Sequence, residues 1–503
     1  MIRISAVTAA ALGTAEKFAV NVLVDLSRLA QVDSPEIDAV ELRAIDRPAD
    51  GDLRACVDAG WYIESHDGVV DIPRAALRQV TAVVGAIAEQ SSTAEDRFGR
   101  VPPTVNAVVA AGLERQPVIS QAAVLLRQAV TRAAGSRPLR LVQPWPNGKR
   151  WAAAFTHDLD VVALWPAFTA LRVVELARNR DARRIGAVVS AAVRAIGRNP
   201  VLGAVDSVLE AERAHGVLST WFILCGSPTA NSFVAGDVTY RPESVGARAI
   251  LRRIAGGRNA IGLHGSFATS EGPAVFRDQR ARLSALTGQP ALGVRQHFLR
   301  MRPGATQAAM CAAGFVYDST FGFADRNGFR LGVADAVPAW EETGKDALPL
   351  QLIPFCWMDR ALSKYRGVED PAEWLADAMA MADEARAVDG LWVGIWHPNM
   401  APALGFPGAT EAFSELVHRL TALDPYVATL DTIAAWRSAR RAVRVRRVDA
   451  DGRVVAECDA DPGLPMALEH ADGSAAEPVT MVTTARHVAA PVVPPAPGAH
   501  ATT

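Results

Sequence analysis

Hydrophobic positions along this chain follow helical spacing in some stretches and strand-like spacing in others. Over residues 1–145, apolar residues recur at helical intervals in three stretches, 18–30, 74–89 and 119–134. Residues 62–72 alternate in the manner of a hairpin that turns at Asp67-Gly68. Pro144-Trp-Pro-Asn-Gly148 then interrupts both patterns and marks a boundary. We therefore expect an N-terminal α+β accessory domain over residues 1–145, without a recognisable chemical motif.

From residue 146 onwards, short apolar runs alternate with helical patterns. Eight runs are strand candidates, at residues 152–156, 219–225, 260–264, 294–299, 315–318, 348–355, 391–397 and 426–430. This alternation indicates a parallel sheet, and eight strands favour a (β/α) barrel over a doubly wound open sheet. We expect the barrel to span residues 146–438. A small β appendage over 439–488, turning at Asp451-Gly452, and a disordered Pro/Ala/Val tail over 489–503 should follow it.

Residues 161–200 have no strand pattern and interrupt the first strand–helix unit. Apolar helical runs are mixed there with arginines at positions 172, 178, 180, 183, 184, 194 and 198. Two interpretations remain open for this insertion. It is either a basic amphipathic hairpin that makes peripheral contact with a membrane, or a helical insertion packed on the barrel with a solvated basic face. The packed insertion is the favoured interpretation, because a run of charges is usually a solvated face. No apolar run in the chain reaches the ~20 residues that a transmembrane helix needs.

Composition and charge narrow the function classes. The chain has 503 residues, of which 50% are hydrophobic, so it can bury a sizeable core in more than one domain. A net charge of −2 does not favour nucleic-acid binding as the main activity. Five scattered cysteines without a CxxC pair argue against a disulfide framework and favour a reducing, cytoplasmic compartment. The short Ala-rich N-terminus, followed by Glu16 and Lys17, is interpreted as part of the mature protein rather than a signal peptide.

Acidic residues end the first predicted strand of the barrel. The run Trp151-Ala-Ala-Ala-Phe leads into Thr156-His-Asp-Leu-Asp160. Because side chains alternate along a strand, Thr156, Asp158 and Asp160 should share one face, and His157 should point into the layer between strand and helix. Two carboxylates on one face can divide labour between binding a metal and acting as a base. Taken alone, the same stretch is explained equally well by a strand end with a helix N-cap.

Histidines occupy the ends of further predicted strands. His264, His297 and His397 each lie at such an end, and Arg295 shares a face with His297. Barrel enzymes carry their catalytic groups at the carboxyl ends of the strands, where the loops converge on one mouth. We therefore expect these side chains and the two carboxylates to form one site.

Five motifs at these strand ends carry a family resemblance. They are Thr156-His-Asp-Leu-Asp160, Gly262-Leu-His-Gly-Ser-Phe267, Val294-Arg-Gln-His-Phe298, Tyr317-Asp-Ser-Thr-Phe-Gly-Phe-Ala-Asp325 and Ile395-Trp-His397. With them, the chain from about residue 145 to 435 resembles the polysaccharide deacetylases of the NodB homology fold, and looks closest to a divergent branch whose first motif reads Thr-His-Asp-x-Asp. The resemblance implies a deformed (β/α) barrel that hydrolyses N-acetyl groups on sugars or glycan precursors with a divalent metal.

The resemblance also implies roles for single residues. Asp158 would be the base that activates water, and Arg295 would orient it. Asp160 and His264 would hold the metal. His397 would protonate the leaving amine, and Asp325 loosely matches the residue that orients this histidine.

One position departs from the family pattern. The family usually carries a second metal ligand four residues after the histidine of its second motif, and here that position is Ala268. Zinc prefers Cys, His and carboxylate ligands, so we predict that His297 supplies the third ligand of a zinc site. Two alternatives remain: a metal-free amidohydrolase, as in relatives that cleave cyclic amides, or a catalytically silent barrel that binds a glycan or a partner in polysaccharide assembly.

Overall fold

The computed structural model places the helices and strands of most of the chain. It describes residues 1–5, 10–32, 34, 36–47, 52–137, 139–162, 165–178, 181–194, 196, 199–227, 240–448, 454–460, 463–470 and 476–481. The hairpin turn predicted at Asp451-Gly452 and the tail predicted over 489–503 lie outside these residues.

Twenty-one strands are present in the described residues. They are β1 (Ile2–Ile4), β2 (Gln31–Val32), β3 (Val40–Ile45), β4 (Glu64–His66), β5 (Val69–Pro73), β6 (Arg140–Val142), β7 (Ala152–Leu159), β8 (Thr220–Leu224), β9 (Ala260–Gly265), β10 (Gly293–Gln296), β11 (Tyr317–Asp318), β12 (Val337–Glu341), β13 (Asp346–Leu352), β14 (Trp357–Met358), β15 (Leu391–Ile395), β16 (Tyr426–Val427), β17 (Arg444–Val448), β18 (Val454–Cys458), β19 (Ala467–His470), β20 (Ala476–Pro478) and β21 (Thr480–Met481).

Fifteen α-helices lie between and around these strands in the same residues. They are α1 (Thr14–Ser27), α2 (Leu53–Asp58), α3 (Arg74–Val84), α4 (Ile87–Gln90), α5 (Ala107–Ala110), α6 (Val118–Ala134), α7 (Trp165–Arg178), α8 (Ala182–Arg194), α9 (Pro200–Ala214), α10 (Val245–Gly256), α11 (Pro273–Thr287), α12 (Ala305–Ala312), α13 (Pro371–Ala387), α14 (Ala409–Ala422) and α15 (Leu430–Ala442).

The central sheet confirms the prediction of a deformed (β/α) barrel. Its ten strands follow the order β12-β13-β11-β10-β9-β8-β7-β15-β14, and β16 pairs with β7 beside this path. All its neighbouring strands are parallel except β12 and β13. A strand covered on both faces consists almost wholly of apolar residues; in β8, for example, all five residues are buried. The sheet curls, so the carboxyl ends of its strands face a common mouth.

All eight strands predicted for the barrel are present, and two further strands complete the sheet. The pattern did not reveal β12, a short antiparallel neighbour of β13 that contains Pro338, or β14, which has only two residues. Pro338 within β12 argues against a strand there, as a proline does in any run outside a sheet edge, and the two residues of β14 are too few for a pattern.

A second sheet joins the two ends of the chain. Its eight strands follow the order β21-β18-β17-β2-β1-β3-β5-β4, in which the pairs Arg444–Gln31 and Val445–Val32 connect β17 to β2. In a third sheet, β19 and β20 join β6. The strands predicted as a separate appendage over 439–488 therefore extend the sheets of the N-terminal region.

In its described residues, the insertion predicted over 161–200 contains helices α7 and α8 and contributes no strand to the barrel sheet. Helices α7 and α8 pack on each other and on the short turn Pro402–Leu404. Arg172 of α7 is buried and donates to Glu369 at 2.6 Å. Five large aliphatic side chains of this segment are nevertheless exposed: Leu171, Val174, Val189, Val193 and Ile196. Among the described helices, none combines the length and the apolar character needed to cross a membrane.

Candidate active site

The first barrel strand separates its side chains between two environments, as its alternation predicts. His157 is fully buried behind the strand, where Nδ1 lies 2.8 Å from the carbonyl oxygen of Trp396 and Nε2 lies 2.8 Å from the Glu212 carboxylate. Thr156 and Asp158 point to the opposite side, where both accept hydrogen bonds from Arg295. The prediction of a packed, hydrogen-bonded His157 is therefore confirmed.

Arg295 holds Asp158 in place at the bottom of the mouth. This guanidinium has no solvent exposure, and its Nη1 donates to Asp158 Oδ1 at 2.8 Å. The oxygens of Ser319 fix the other side of the guanidinium, accepting from Nε at 3.0 Å and from Nη2 at 2.8 Å. Burial alone would raise the pKa of Asp158, but Arg295 and the nearby histidines outweigh it and lower this pKa. Asp158 is therefore ionised at neutral pH, as a general base must be.

Asp160, His264 and His297 converge above Asp158. Asp160 Oδ1 lies 3.2 Å from His264 Nε2 and 3.6 Å from His297 Nε2. One nitrogen from each ring and one carboxylate oxygen lie within 4.8 Å of one another. Burial raises the pKa of Asp160, but His297 and then His264 more than offset this, so the pKa stays well below its usual range.

These three residues fit a divalent metal. Asp160 Oδ1 is buried and accepts no well-oriented hydrogen bond from any described residue. The Arg295 carbonyl oxygen, 2.9 Å from His264 Nδ1, can only accept, so Nδ1 carries the proton and Nε2 offers a lone pair. Ligand atoms around a tetrahedral zinc at bond lengths near 2.0–2.1 Å are ~3.3 Å apart, close to the distances from Asp160.

The hydroxyl groups next to Ala268 are engaged elsewhere. Ser266 Oγ accepts from Gln279 Nε2 at 2.6 Å. Thr269 Oγ1 lies within hydrogen-bond distance of the Ser266 carbonyl oxygen and of Gln296 Oε1. Both hydroxyl groups are thus engaged in other hydrogen bonds, whereas the His297 side chain lies together with those of Asp160 and His264.

His397 lies on the other side of Asp160 and is held by Asp359. Its Nδ1 donates to Asp359 Oδ1 at 2.6 Å, and its backbone N–H donates to Oδ2 at 2.7 Å. The Nε2 atom faces the mouth, 3.6 Å from Asp160 Oδ2. Burial would lower the pKa of His397, but the Asp359 charge and hydrogen bond outweigh it and raise this pKa to about 9. The imidazole is therefore protonated and able to act as an acid.

Asp325 does not contact His397, the histidine that the motif match suggested it would orient. Asp325 is half-buried on a loop and forms an ion pair with its neighbour Arg326, at 3.1 Å. Asp359, which follows β14, makes the contacts with His397 that were expected of Asp325. Asp359 ends the apolar run Leu350-Gln-Leu-Ile-Pro-Phe-Cys-Trp-Met358, just as Asp158 ends the first strand, and this similarity is the sequence signal that could have identified it.

The N-terminal region contributes one wall of the mouth. The guanidinium of Arg100, on the loop after α4, donates to the Phe298 carbonyl oxygen and the Tyr365 hydroxyl, both at 3.3 Å. The rings of Phe98 and Phe298 stack with centroids 5.1 Å apart. The resulting cavity of about 80 Å³ reaches the two carboxylates and three histidines of the site. Residues 1–145 therefore help to shape the site, which no motif in them indicated.

Comparison with known proteins gives matches to solved structures alone. No family model matches the chain, and neither does any curated protein. A Mycobacterium smegmatis protein assigned to the polysaccharide deacetylases is 21% identical, with 59% of this chain and 93% of that chain covered and a TM-score of 0.39. The chain is similar to polysaccharide deacetylases.

Two further matches have other descriptions. The PuuE allantoinase is 16% identical, with 60% of this chain and 94% of that chain covered and a TM-score of 0.37. A pseudoenzyme of the CE4 family from Bacillus anthracis is 11% identical, with 58% of this chain and 66% of that chain covered and a TM-score of 0.31. With such low TM-scores, any activity of this chain has to be argued from its own residues.

Proposed function

We propose that this protein is a metal-dependent amidohydrolase that removes an N-acetyl group from a sugar or glycan precursor. The observation that carries the proposal is the convergence of three units at one mouth. These are a carboxylate fixed by an arginine, a carboxylate with two imidazoles, and an imidazole fixed by a second carboxylate. The motif resemblance supports the sugar substrate, and the geometry supports the roles that the resemblance implies for single residues.

Asp160, His264 and His297 would hold the divalent metal, which we propose to be zinc. A carboxylate with two histidines is a ligand set found in catalytic zinc sites, which keep a further position open. When bound, such a metal polarises the amide carbonyl and lowers the pKa of water. The three side chains fix the position of this chemistry next to Asp158, whose Oδ2 lies 3.9 Å from His264 Nε2.

Asp158 and His397 would transfer the protons of the reaction. Asp158 has one oxygen, Oδ1, bound by Arg295, so Oδ2 is the atom that accepts the proton of the attacking water. His397 delivers a proton from Nε2 to the leaving amine, because Asp359 fixes the ring through Nδ1. The base is therefore ionised and the acid protonated before the substrate binds, as hydrolysis of an amide requires.

Metal analysis combined with an assay of amide hydrolysis tests this proposal. We expect purified protein to contain about one zinc per chain. It should release acetate from N-acetylated amino-sugar oligomers, lose this activity on chelation and regain it with zinc. Asp158→Asn should retain zinc and lose activity. Zinc binding without hydrolysis by the unmodified protein would favour the silent barrel, and hydrolysis that survives chelation would favour a metal-free amidohydrolase.

We also propose a cytoplasmic location with peripheral contact between helices α7 and α8 and a membrane. All five cysteines are free thiols, four of them buried, which is typical of a reducing compartment. In the insertion, Leu171 is 65% exposed and Ile196 is 73% exposed. Residues 165–200 contain seven arginines against Glu175 and Asp181. Exposed aliphatic side chains together with excess positive charge are the combination that binds an anionic lipid surface.

A further inference from the structure

Three cationic side chains line the same cavity as the proposed metal ligands. They are Arg100, Arg360 and Lys364. Arg360 immediately precedes the short helical segment Ala361–Tyr365 that contains Lys364, so both belong to one turn beside His397 and Asp359. The roles proposed above account for none of these three charges, because the base, the metal ligands and the acid of that proposal are other residues.

Arg100 has its charge balanced within the protein. Its guanidinium forms an ion pair with Asp96 at 2.6 Å and also contacts Tyr365 and Phe298. These contacts fix Arg100 as part of the cavity wall. Of the three cations, Arg360 and Lys364 are therefore the two whose charges are still to be accounted for.

Arg360 and Lys364 have no carboxylate oxygen within 4.0 Å in the part of the chain that the structure describes. Arg360 is half-buried, contacts Met400 Sδ at 3.7 Å and lies 5.0 Å from the centre of the Phe406 ring. Lys364 Nζ lies 5.8 Å from the centre of the Phe298 ring and 5.4 Å from that of Tyr365. Soft and aromatic neighbours stabilise a cation only in part.

The nearby carboxylates offset these charges only in part. Burial lowers the pKa of Arg360 and that of Lys364, and the more distant charges of Asp359, Asp160 and Glu175 do not restore them. Asp158 is bound by Arg295, and Asp359 is bound by His397 at both of its oxygens. Asp160 is the proposed metal ligand. Lys364 is exposed at the rim, yet desolvation against the wall and then repulsion from Arg360 lower its pKa to about 8. The rim therefore holds two adjacent positive charges, at a cost in free energy that a bound anion would remove.

We propose that the substrate carries an anionic group, a carboxylate or a phosphate ester, which Arg360 and Lys364 bind while the amide lies at Asp160, His264 and His297. This inference rests on the proposed function, because it assigns the second half of the same cavity. Arg360 offers a planar fork that matches either oxyanion, and Lys364 offers a compact charge beside it. The site thus selects an acidic N-acylated sugar over its neutral counterpart.

Binding of sugars that lack an amide tests the subsite without requiring hydrolysis. Full-length protein, as purified, is titrated calorimetrically with glucose, glucuronate and glucose 6-phosphate. We expect an anionic sugar to bind at least about tenfold more tightly than glucose, since a hydrogen bond to a charged group contributes that much or more. The tighter of the two anionic sugars identifies carboxylate or phosphate as the group recognised.

Variants assign the binding to the two cations. Lys364→Met, at the exposed rim, and Arg360→Gln should each weaken binding of the anionic sugar by about 10- to 100-fold relative to glucose. Arg366→Gln is the matched control, because Arg366 is an exposed cation two residues further along that does not line the cavity. Equal binding of glucose and both anionic sugars would overturn the proposal, as would equal losses in Lys364→Met and Arg366→Gln.

Hydrolysis assays with N-acetylglucosamine, its uronic acid and its 6-phosphate then test the anionic subsite and the amidohydrolase activity separately. Preference for an acidic substrate that disappears in Lys364→Met supports both the subsite and the proposed function. If no sugar is hydrolysed but the anionic sugars still bind through Lys364, the subsite stands and the amidohydrolase proposal fails. If the neutral sugar is hydrolysed as well as the acidic ones, the amidohydrolase stands and the subsite is wrong.

Discussion

His297 is the residue on which the proposed metal site depends, because Ala268 cannot coordinate a metal. Its Nε2 lies 3.6 Å from Asp160 Oδ1, and its ring centre is 5.0 Å from that of His264. We expect His297→Ala to abolish stoichiometric zinc and acetate release while the fold is retained. Loss of a residue that merely orients a metal ligand already costs 10–100-fold, so loss of the ligand itself should cost more than about 100-fold in affinity. Metal analysis after gel filtration measures this.

A surface histidine provides the control for His297. His418 is exposed on α14 and does not line the cavity, so His418→Ala should leave both zinc content and activity unchanged. If His297→Ala retained one zinc per chain, the metal would have to be held by Asp160 and His264 with water alone, and the ligand assignment would be wrong.

Asp359 should act on the rate of the reaction rather than on metal binding. Asp359→Asn removes the charge that fixes His397 but leaves Asp160, His264 and His297 unchanged. General acid catalysis contributes about 10²- to 10⁴-fold, so kcat should fall towards that range while zinc content stays the same. Asp325→Asn is the matched control and should have little effect, because Asp325 pairs with Arg326. A larger loss of kcat in Asp325→Asn than in Asp359→Asn would reverse the assignment.

Residue-level predictions from the sequence were accurate where a long strand fixed the direction of the side chain. Alternation along β7 placed Thr156 and Asp158 towards Arg295 and His157 away from it. Asp359 follows a strand of only two residues, which gives no direction to a side chain. Arg360 and Lys364 were missed because a lone cation in a helical turn resembles any solvated surface charge until its neighbours are known.

At the scale of elements, periodicity predicted the strands of the barrel but not where every helix is interrupted. The helix predicted over 74–89 divides into α3 and α4 at Gly85 and Ala86. A Cβ atom at Gly85 would lie 2.8 Å from the Trp340 side chain, which belongs to β12. The backbone turns at Ala86, whose φ is 49°, and the lack of a side chain at Gly85 lets Trp340 pack against the break. The spacing of apolar residues reports neither feature.

Strand pairing shows the same limit of local sequence information. The hairpin pattern after residue 439 predicted strands correctly, but its partner was not predictable, because β17 pairs with β2 of the N-terminal region. A hairpin exposes edge groups that any other strand edge can satisfy. The strand with which β17 pairs is therefore determined by the tertiary structure, not by the local sequence.

The exposed aliphatic residues of α7, α8 and the turn after α8 lead to a prediction about membrane contact. A triple variant, Leu171→Ser, Val193→Ser and Ile196→Ser, should bind vesicles containing anionic lipid at least about tenfold more weakly than the unmodified chain. Each such side chain contributes on the order of 1 kcal/mol or more when it leaves water. Co-sedimentation with anionic and neutral vesicles at two salt concentrations measures the effect.

Val245→Ser is the control for this surface. Val245 is the most exposed large aliphatic residue described, at 85%, and lies on α10 outside the insertion. Its replacement should not alter vesicle binding. If the unmodified protein does not bind anionic vesicles, helices α7 and α8 are a packed insertion with a solvated basic face, which is the interpretation that their sequence favours.

At the scale of the whole molecule, a buried ionic cluster connects the N-terminal region to the barrel. Arg437 of α15 has no solvent exposure and bridges Asp25 of α1, at 3.0 Å, and Asp335, at 2.6 Å. Arg440 donates to Asp335 from the next turn of α15, at 3.1 Å. These residues are separated by as many as 415 positions in the sequence, and no local pattern predicts their association. The buried carboxylate of Asp25 in the N-terminal region is therefore neutralised by arginines of α15.

The stability of the protein should depend on Asp25 in a pH-dependent way. Breaking a buried ion pair costs about 3–5 kcal/mol, so Asp25→Asn should lower the free energy of unfolding at pH 7 by an amount in that range. Burial raises the pKa of Asp25, but Arg437, Arg441 and Arg440 outweigh it and hold this pKa well below its usual range. A carboxylate whose pKa is lower in the folded state than in the unfolded state, where it is about 3.9, stabilises the fold at pH values above about 3.9. This contribution decreases as the pH falls below about 3.9 towards the folded-state pKa. The difference between unmodified protein and Asp25→Asn in denaturant unfolding should therefore be constant from pH 6 to 8 and shrink below about pH 4.

Asp58→Asn, which removes an exposed pair with Arg54, should cost at most about 1 kcal/mol at pH 7. An undiminished effect of Asp25→Asn at pH 3 would show that Asp25 stabilises the fold by packing and hydrogen bonding rather than by its charge.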